Sequence, residues 1–143
     1  MHARSTTIGA ISQLSAPHPT PTRRRTQFQR QAWEVIGQIV VYRSLPDGSF
    51  ELALFDDHGY IRVGMPSPDC LTSASRGRHA VVAARKAFVA QCGQPRPNSR
   101  AQGAVAYVTG VGFWSPDRSK LQAAANGAEL QPVTSLRLIA GCR

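Results

Sequence analysis

The chain has 143 residues and a formal net charge of +9, and 42% of it is hydrophobic, which suits one domain with a modest core. No window holds the roughly 18 apolar residues needed to cross a bilayer. The first thirty residues lack the apolar run of a secretion signal, Ile8 to Ile11 being their best, so the expectation is a soluble, cytoplasmic, basic protein.

The charge is uneven. Residues 1–31 carry Arg4, Arg23, Arg24, Arg25 and Arg30 and no acid. Such a stretch favours polyanionic partners, although many basic tails only aid solubility. Pro17, Pro19 and Pro21 alternate before the arginine run, and alternating prolines resist both helix and sheet. Residues 1–31 are therefore read as a disordered Pro/Arg-rich arm, with a folded domain over 32–143.

From Ala32 to Tyr42 β-branched and aromatic residues dominate, and Trp33, Val35, Ile39 and Val41 share one face at period two. Leu45-Pro-Asp-Gly-Ser49 supplies a turn, because proline presets φ and glycine accepts a positive value. Phe50, Leu52 and Leu54 form the next buried face, and Asp56-Asp57-His58-Gly59 a second turn. Ile61, Val63 and Met65 line a third strand, which Pro66 and Pro68 end. One helix is expected from Arg76 to Gln91, capped by Ser73 or Ser75, with Val81, Ala84, Phe88 and Cys92 as its apolar stripe and Arg78, Arg85 and Lys86 in solvent.

A late strand, Gly103 to Trp114, follows the helix. A dozen polar residues then precede a last strand from Ala128 to Ile139. Three strands, a helix and two strands is the order of a five-stranded OB-like β-barrel, mainly β with one helix. In that architecture ligands use the face of strands 2 and 3 and the loops joining strands 1–2 and 4–5.

Cys70, Cys92 and Cys142 form no C-x-x-C pair, so a zinc ribbon is disfavoured. Cys70 and Cys92 bracket the helix, which puts them too far apart for an easy bridge. A bridge to Cys142 is easier, but free thiols suit a reducing compartment.

Val108-Thr-Gly-Val-Gly-Phe-Trp114, Ala128-Glu-Leu-Gln-Pro-Val133 and the ending Ile139-Ala-Gly-Cys142 resemble a group of small uncharacterised bacterial proteins. Met65-Pro-Ser-Pro-Asp-Cys70 looks similar to the same group. The resemblance covers about residues 30–142 and implies an OB barrel of the staphylococcal-nuclease-like branch. In that group the long loop carries His-Gly-Gln and the last strand Glu-Leu-His-Pro. Here Arg118-Ser119-Lys120 and Gln131 replace the histidines, and neither cation is a neutral-pH base.

Asp56-Asp57-His58 is the densest acid–base cluster, but adjacent strand residues point to opposite faces, which favours a polar turn over a metal site. No metal or cofactor is expected. Gly110-Val-Gly112 opens no helix and is no dinucleotide loop. Single-strand binding by an OB fold needs aromatic platforms and a cationic groove. Tyr60 and Arg62 should be exposed on the third strand, Trp114, Arg118 and Lys120 lie in or beside the long loop, and Arg23, Arg24 and Arg25 add reach. The competing reading is that Trp114 and Tyr60 cap the barrel ends as core residues, as an aromatic at a strand terminus more often does. The reading is a nucleic-acid-binding OB-fold protein without catalytic activity. The alternatives are a nuclease-like hydrolase using Asp69 or Glu129 with Arg62, and a protein-interaction module.

Overall fold

The structure is a computed structural model that describes residues 2–71, 77–98 and 103–142. Its elements are β1 (Ala3–Ser5), α1 (Ile8–Ser12), β2 (Ala32–Ser44), β3 (Phe50–Asp56), β4 (Gly59–Met65), α2 (Arg78–Cys92), β5 (Val105–Trp114) and β6 (Ala128–Ala140), with short 3₁₀ turns at Phe28–Arg30 and Pro68–Cys70. The strand order is β1-β2-β3-β4-β6-β5, and a β2–β5 pairing closes β2 to β6 into a five-stranded barrel. All its pairings are antiparallel except β4 with β6. This is the OB-like barrel that the order of elements implies.

The period-two pattern identifies the core. Phe50, Leu52, Leu54, Ile61, Val63 and Met65 are all buried, as are Val35, Ile39 and Val41. One parity change was not legible: β2 shifts register between Ile39 and Val41, and this bulge turns Tyr42 inward as well. Tyr42 meets Phe88 of α2 edge-on, with ring centroids 5.6 Å apart. The first turn forms as expected, with Gly48 at a φ of 86°.

Helix α2 buries Val81, Ala84 and Phe88. The Ser73 and Ser75 caps expected for it lie outside the described residues, as does its expected first residue, Arg76. Arg85 departs from the solvent position expected of it. Its guanidinium lies 3.6 Å from the centre of the Phe50 ring and donates 2.7 Å to the Gly48 carbonyl. The long stem packs on apolar surface while the head finds a carbonyl, which an off-stripe position permits.

Residues 2–31 are not a detached arm here, which corrects the expectation. β1 adds to the barrel parallel to β2, and Ile8 and Ile11 of α1 are 0% and 2% exposed. Phe28 seats against β5, where Gly112 admits the Phe28 carbonyl at a distance that a Cβ would forbid. Apolar residues at i and i+3 in a five-residue helix are too short a pattern to betray burial from sequence.

Cys92 and Cys142 form a disulfide that ties the end of α2 to the stretch after β6, and Cys70 is free and exposed. The free-thiol expectation for those two residues is thus overturned. The long separation of the partners hid it: they lie 50 residues apart, and closing a loop of that length stabilises by about 4 kcal/mol in the chain-entropy account. Such bridges persist in oxidising compartments. None of the described helices is long and apolar enough to cross a membrane.

Candidate nucleic-acid interface

Two surfaces carry the candidate residues. The first is the outer face of β3, β4 and β6, where a side chain alternates away from the core at Glu51, Arg62 and Glu129. Register aligns Arg62 with Ala53 of β3 on one side and with Glu129 on the other. Arg62 Nη1 donates 2.7 Å to Glu51 Oε1, and Arg43 reaches the same oxygen at 2.8 Å. Lys120, from the loop before β6, lies 2.8 Å from Glu129 and 3.6 Å from Glu51. The same loop is pinned by Arg62, whose Nε and Nη2 donate to the carbonyls of Leu121 and Gln122.

Arg62 is therefore no exposed phosphate ligand, and its expected position on an open face is corrected. It is 6% exposed, because the loop of residues 115–127 folds down over the face that OB barrels usually present. Arg62 and Lys120 do come together, but on two carboxylates rather than on a groove. Beside them lies a cavity of about 260 Å³ lined by Asp47, Cys70, Gly64 and Gln131 as well as the charged set.

The two acids behave oppositely. Burial is the largest influence on Glu51 and acts upward, yet Arg43, Arg62 and Lys120 together hold its carboxyl below the ordinary value. Burial also pushes Glu129 upward, and there Lys120 does not fully compensate. A carboxyl raised in the folded state contributes stability that is present below its unfolded pKa and lost as pH rises. Glu129→Gln mimics the protonated acid. It is expected to match the wild type below about pH 4 and to become the more stable protein as pH rises towards 7. Urea midpoints across that range check this, and a variant that weakens towards neutrality contradicts it.

The second surface joins the N-terminal segment to β2 and β5. Arg24 is its strap: its guanidinium donates to the carbonyls of Gly112 at 2.6 Å and Gln131 at 3.1 Å. It is thus a structural group rather than a free ligand. Arg4, Arg23, Arg25 and Arg30 are exposed, and none has an ion-pair partner among the described residues. Arg4 lies opposite Trp33 in the β1–β2 register, and the Arg30 Nε donates to the Arg24 carbonyl.

Next to these residues lies an open pocket of about 300 Å³, lined by Phe28, Trp33 and Trp114 with Leu14, Pro17 and Thr26, and by the polar Ser15 and Gln27. Phe28 stacks on Trp33 with centroids 6.0 Å apart and meets Trp114 at 4.8 Å. Both indole N–H groups are satisfied within the protein: Trp33 donates to the Phe28 carbonyl and Trp114 to Thr26 Oγ1, each at 3.0 Å. Trp114 is 2% exposed and belongs to the core, so it lends the pocket little surface.

The remaining candidates are dispersed. Tyr60 is half-buried against Phe55, with centroids 4.8 Å apart. Arg118 is exposed and lies over Gly127, where a side chain would collide with its guanidinium. Asp69 is exposed at the 3₁₀ turn after β4 and does not line the cavity beside Glu129. The Asp56 carboxylate accepts the His58 N–H at 2.8 Å, which is the local bond of a turn. Glu51 escaped sequence reasoning, although one acid between Phe50 and Leu52 in an apolar strand was its signal. Trp33 was read only as a core position.

No protein-family model matches the chain, and neither does any curated protein. Among solved structures it is similar to the asparaginyl-tRNA synthetase of Entamoeba histolytica, with a TM-score of 0.53 and 10% identity over 100% of this chain and 25% of that one. It is also similar to a Leishmania major protein described as an aspartyl-tRNA synthetase, with a TM-score of 0.51 and 7% identity over 90% of this chain and 23% of that one. The chain spans about a quarter of the length of these proteins. At such identities the likeness shows the fold alone.

Proposed function

We propose that this protein binds single-stranded nucleic acid, without catalysis, through the arginine-bearing surface that its N-terminal segment makes with the barrel. The observation that carries this is a group of exposed arginines without ion-pair partners among the described residues. Arg4 lies on β1, Arg30 on the first 3₁₀ turn and Arg23 and Arg25 in the segment before it, with no acid in residues 1–31 to neutralise them. With the backbone that carries them packed on the barrel, these groups lose less conformational entropy on meeting a phosphate chain than a loose tail would. The barrel is of a kind often used for oligonucleotides, and the similar solved structures are synthetases whose name states that they act on tRNA. The face of β3, β4 and β6 supports the reading less, because its cations are already engaged by Glu51 and Glu129. The same engagement weighs against hydrolysis, since a divalent ion would have to displace Arg62 from Glu51 and Lys120 from Glu129.

Fluorescence anisotropy with labelled single strands and duplexes tests this. Each single-strand phosphate contact adds about 0.7 to the slope of log affinity on log salt. Arg23→Gln with Arg25→Gln is thus expected to flatten the slope by roughly 1.4. Both side chains are exposed, so the fold should survive. Binding that ignores salt, or no binding at low salt, overturns the proposal.

A further inference from the structure

The pocket between the N-terminal segment and the barrel is unaccounted for by phosphate contacts. Its walls include Phe28, Trp33 and Trp114 together with Leu14 and Pro17, and no acidic residue lines it. Both tryptophans have spent their N–H groups on protein acceptors, and Thr26 Oγ1 already bonds Gln29 as well as Trp114. What the pocket offers a ligand is therefore chiefly aromatic and apolar surface, with the side chains of Ser15 and Gln27 as its remaining polar groups. Two arginines lie near it. Arg4 neighbours Trp33 across the β1–β2 pairing, and Arg25 lines the adjoining hollow, which shares Pro17 and Thr26 with the pocket.

A flat, apolar-faced ligand that arrives attached to negative charge fits this combination. We infer that the pocket seats one unstacked base of a single-stranded nucleic acid, held against the ring of Trp33 while the flanking phosphates meet Arg4 and Arg25. The inference rests on the nucleic-acid reading above and adds where a base goes. It also fixes the kind of recognition. Stacking on an aromatic face is open to every base, and only Ser15 and Gln27 are placed to add hydrogen-bond readout to it. Binding is then sequence-tolerant and single-strand-specific, because a paired base cannot leave its stack without added cost. A proline-rich peptide could use the rings, but not the unpaired arginines.

Both tryptophans of the chain line this pocket, so the intrinsic fluorescence of the unaltered protein reports on it. Titration with DNA and RNA single strands should quench that fluorescence at the concentrations at which anisotropy rises. An abasic strand with the same number of phosphates should bind more weakly and leave the fluorescence unchanged. Trp33→Ala is expected to weaken binding of the normal strand roughly 5- to 150-fold without changing the salt slope. Trp33→Phe, which keeps a ring and guards against misfolding, should retain most of the affinity. If normal and abasic strands bind equally and the fluorescence stays flat, the base seat is wrong while nucleic-acid binding stands. If neither strand binds, both proposals fall. Quenching by a proline-rich peptide together with equal binding of the two strands would overturn the base seat in favour of a peptide groove.

Discussion

A chain beginning at Gln31 is expected to lose most or all of its cooperative unfolding transition. The removed segment buries Ile8, Ile11 and Phe28, which are 0%, 2% and 5% exposed. Burial of each such side chain stabilises by about 1.5–3 kcal/mol, so the three together bring roughly 5–9 kcal/mol. Whole domains of this kind are stable by only about 5–15 kcal/mol. Removal would also free the carbonyls of Gly112 and Gln131 from Arg24, and would release Asn126 Nδ2 from the carbonyls of Ile11 and Leu14. Urea unfolding followed by circular dichroism would read the change. If the shortened chain unfolds at the same midpoint as the full one, the segment is a dispensable arm and its packing contributes nothing. For the same reason the arginines are better tested by substitution than by truncation.

Arg62→Met should be the most damaging single substitution on the β3–β4–β6 face. Arg62 and Glu51 expose only 7% and 11% of their side chains, so removing one charge leaves the other buried. Breaking such a pair typically costs about 3–5 kcal/mol. Arg43 and Lys120 still reach Glu51 and temper the loss, because both are partly exposed and can follow the carboxylate. Two signatures separate this from a general loss of packing. Arg62→Met combined with Glu51→Leu should recover much of the stability, because two apolar groups can replace a buried pair nearly neutrally. The carbonyls of Leu121 and Gln122 also lose their donor, so limited proteolysis should cut first near Leu121, the most exposed large apolar residue among those described, at 78%. A double variant no better than Arg62→Met, with an uncut loop, would deny the pair its role.

What could be read from the sequence was what local chemistry decides. Alternating Phe50, Leu52 and Leu54 can form a half-buried strand with only one face inward, and Pro46 with Gly48 leaves little choice of turn. The sequential arrangement of such elements then pointed to the barrel. What could not be read depended on distant partners. Ile8 and Ile11 look like two apolar residues in a polar stretch until β2 to β4 are placed beneath them. Arg62 alternates outward as expected, yet it is buried because a loop sixty residues later lies across it. Gly112 reads as an odd residue in a strand until the Phe28 carbonyl arrives, and Cys92 reads as the last member of an apolar stripe until Cys142 reaches it. On the candidate surface the arginine run was legible as charge. Its pairing with an aromatic pocket was not, because Trp33 and Phe28 meet only when the first 3₁₀ turn is laid against β5.

The grip of Asn126 on the carbonyls of Ile11 and Leu14 spans 115 and 112 residues. During synthesis at about 5–20 residues per second, the start of the chain waits roughly 6–23 s for that partner to be made. Phe28 waits as well, because β5 and Gly112 are made late. Contacts between such distant parts also slow folding once the chain is free. The newborn protein thus displays Ile8, Ile11, Phe28 and Trp33 beside unpaired arginines for seconds before any of them is covered. That interval, rather than the finished molecule, is when these apolar side chains are most open to off-pathway contacts.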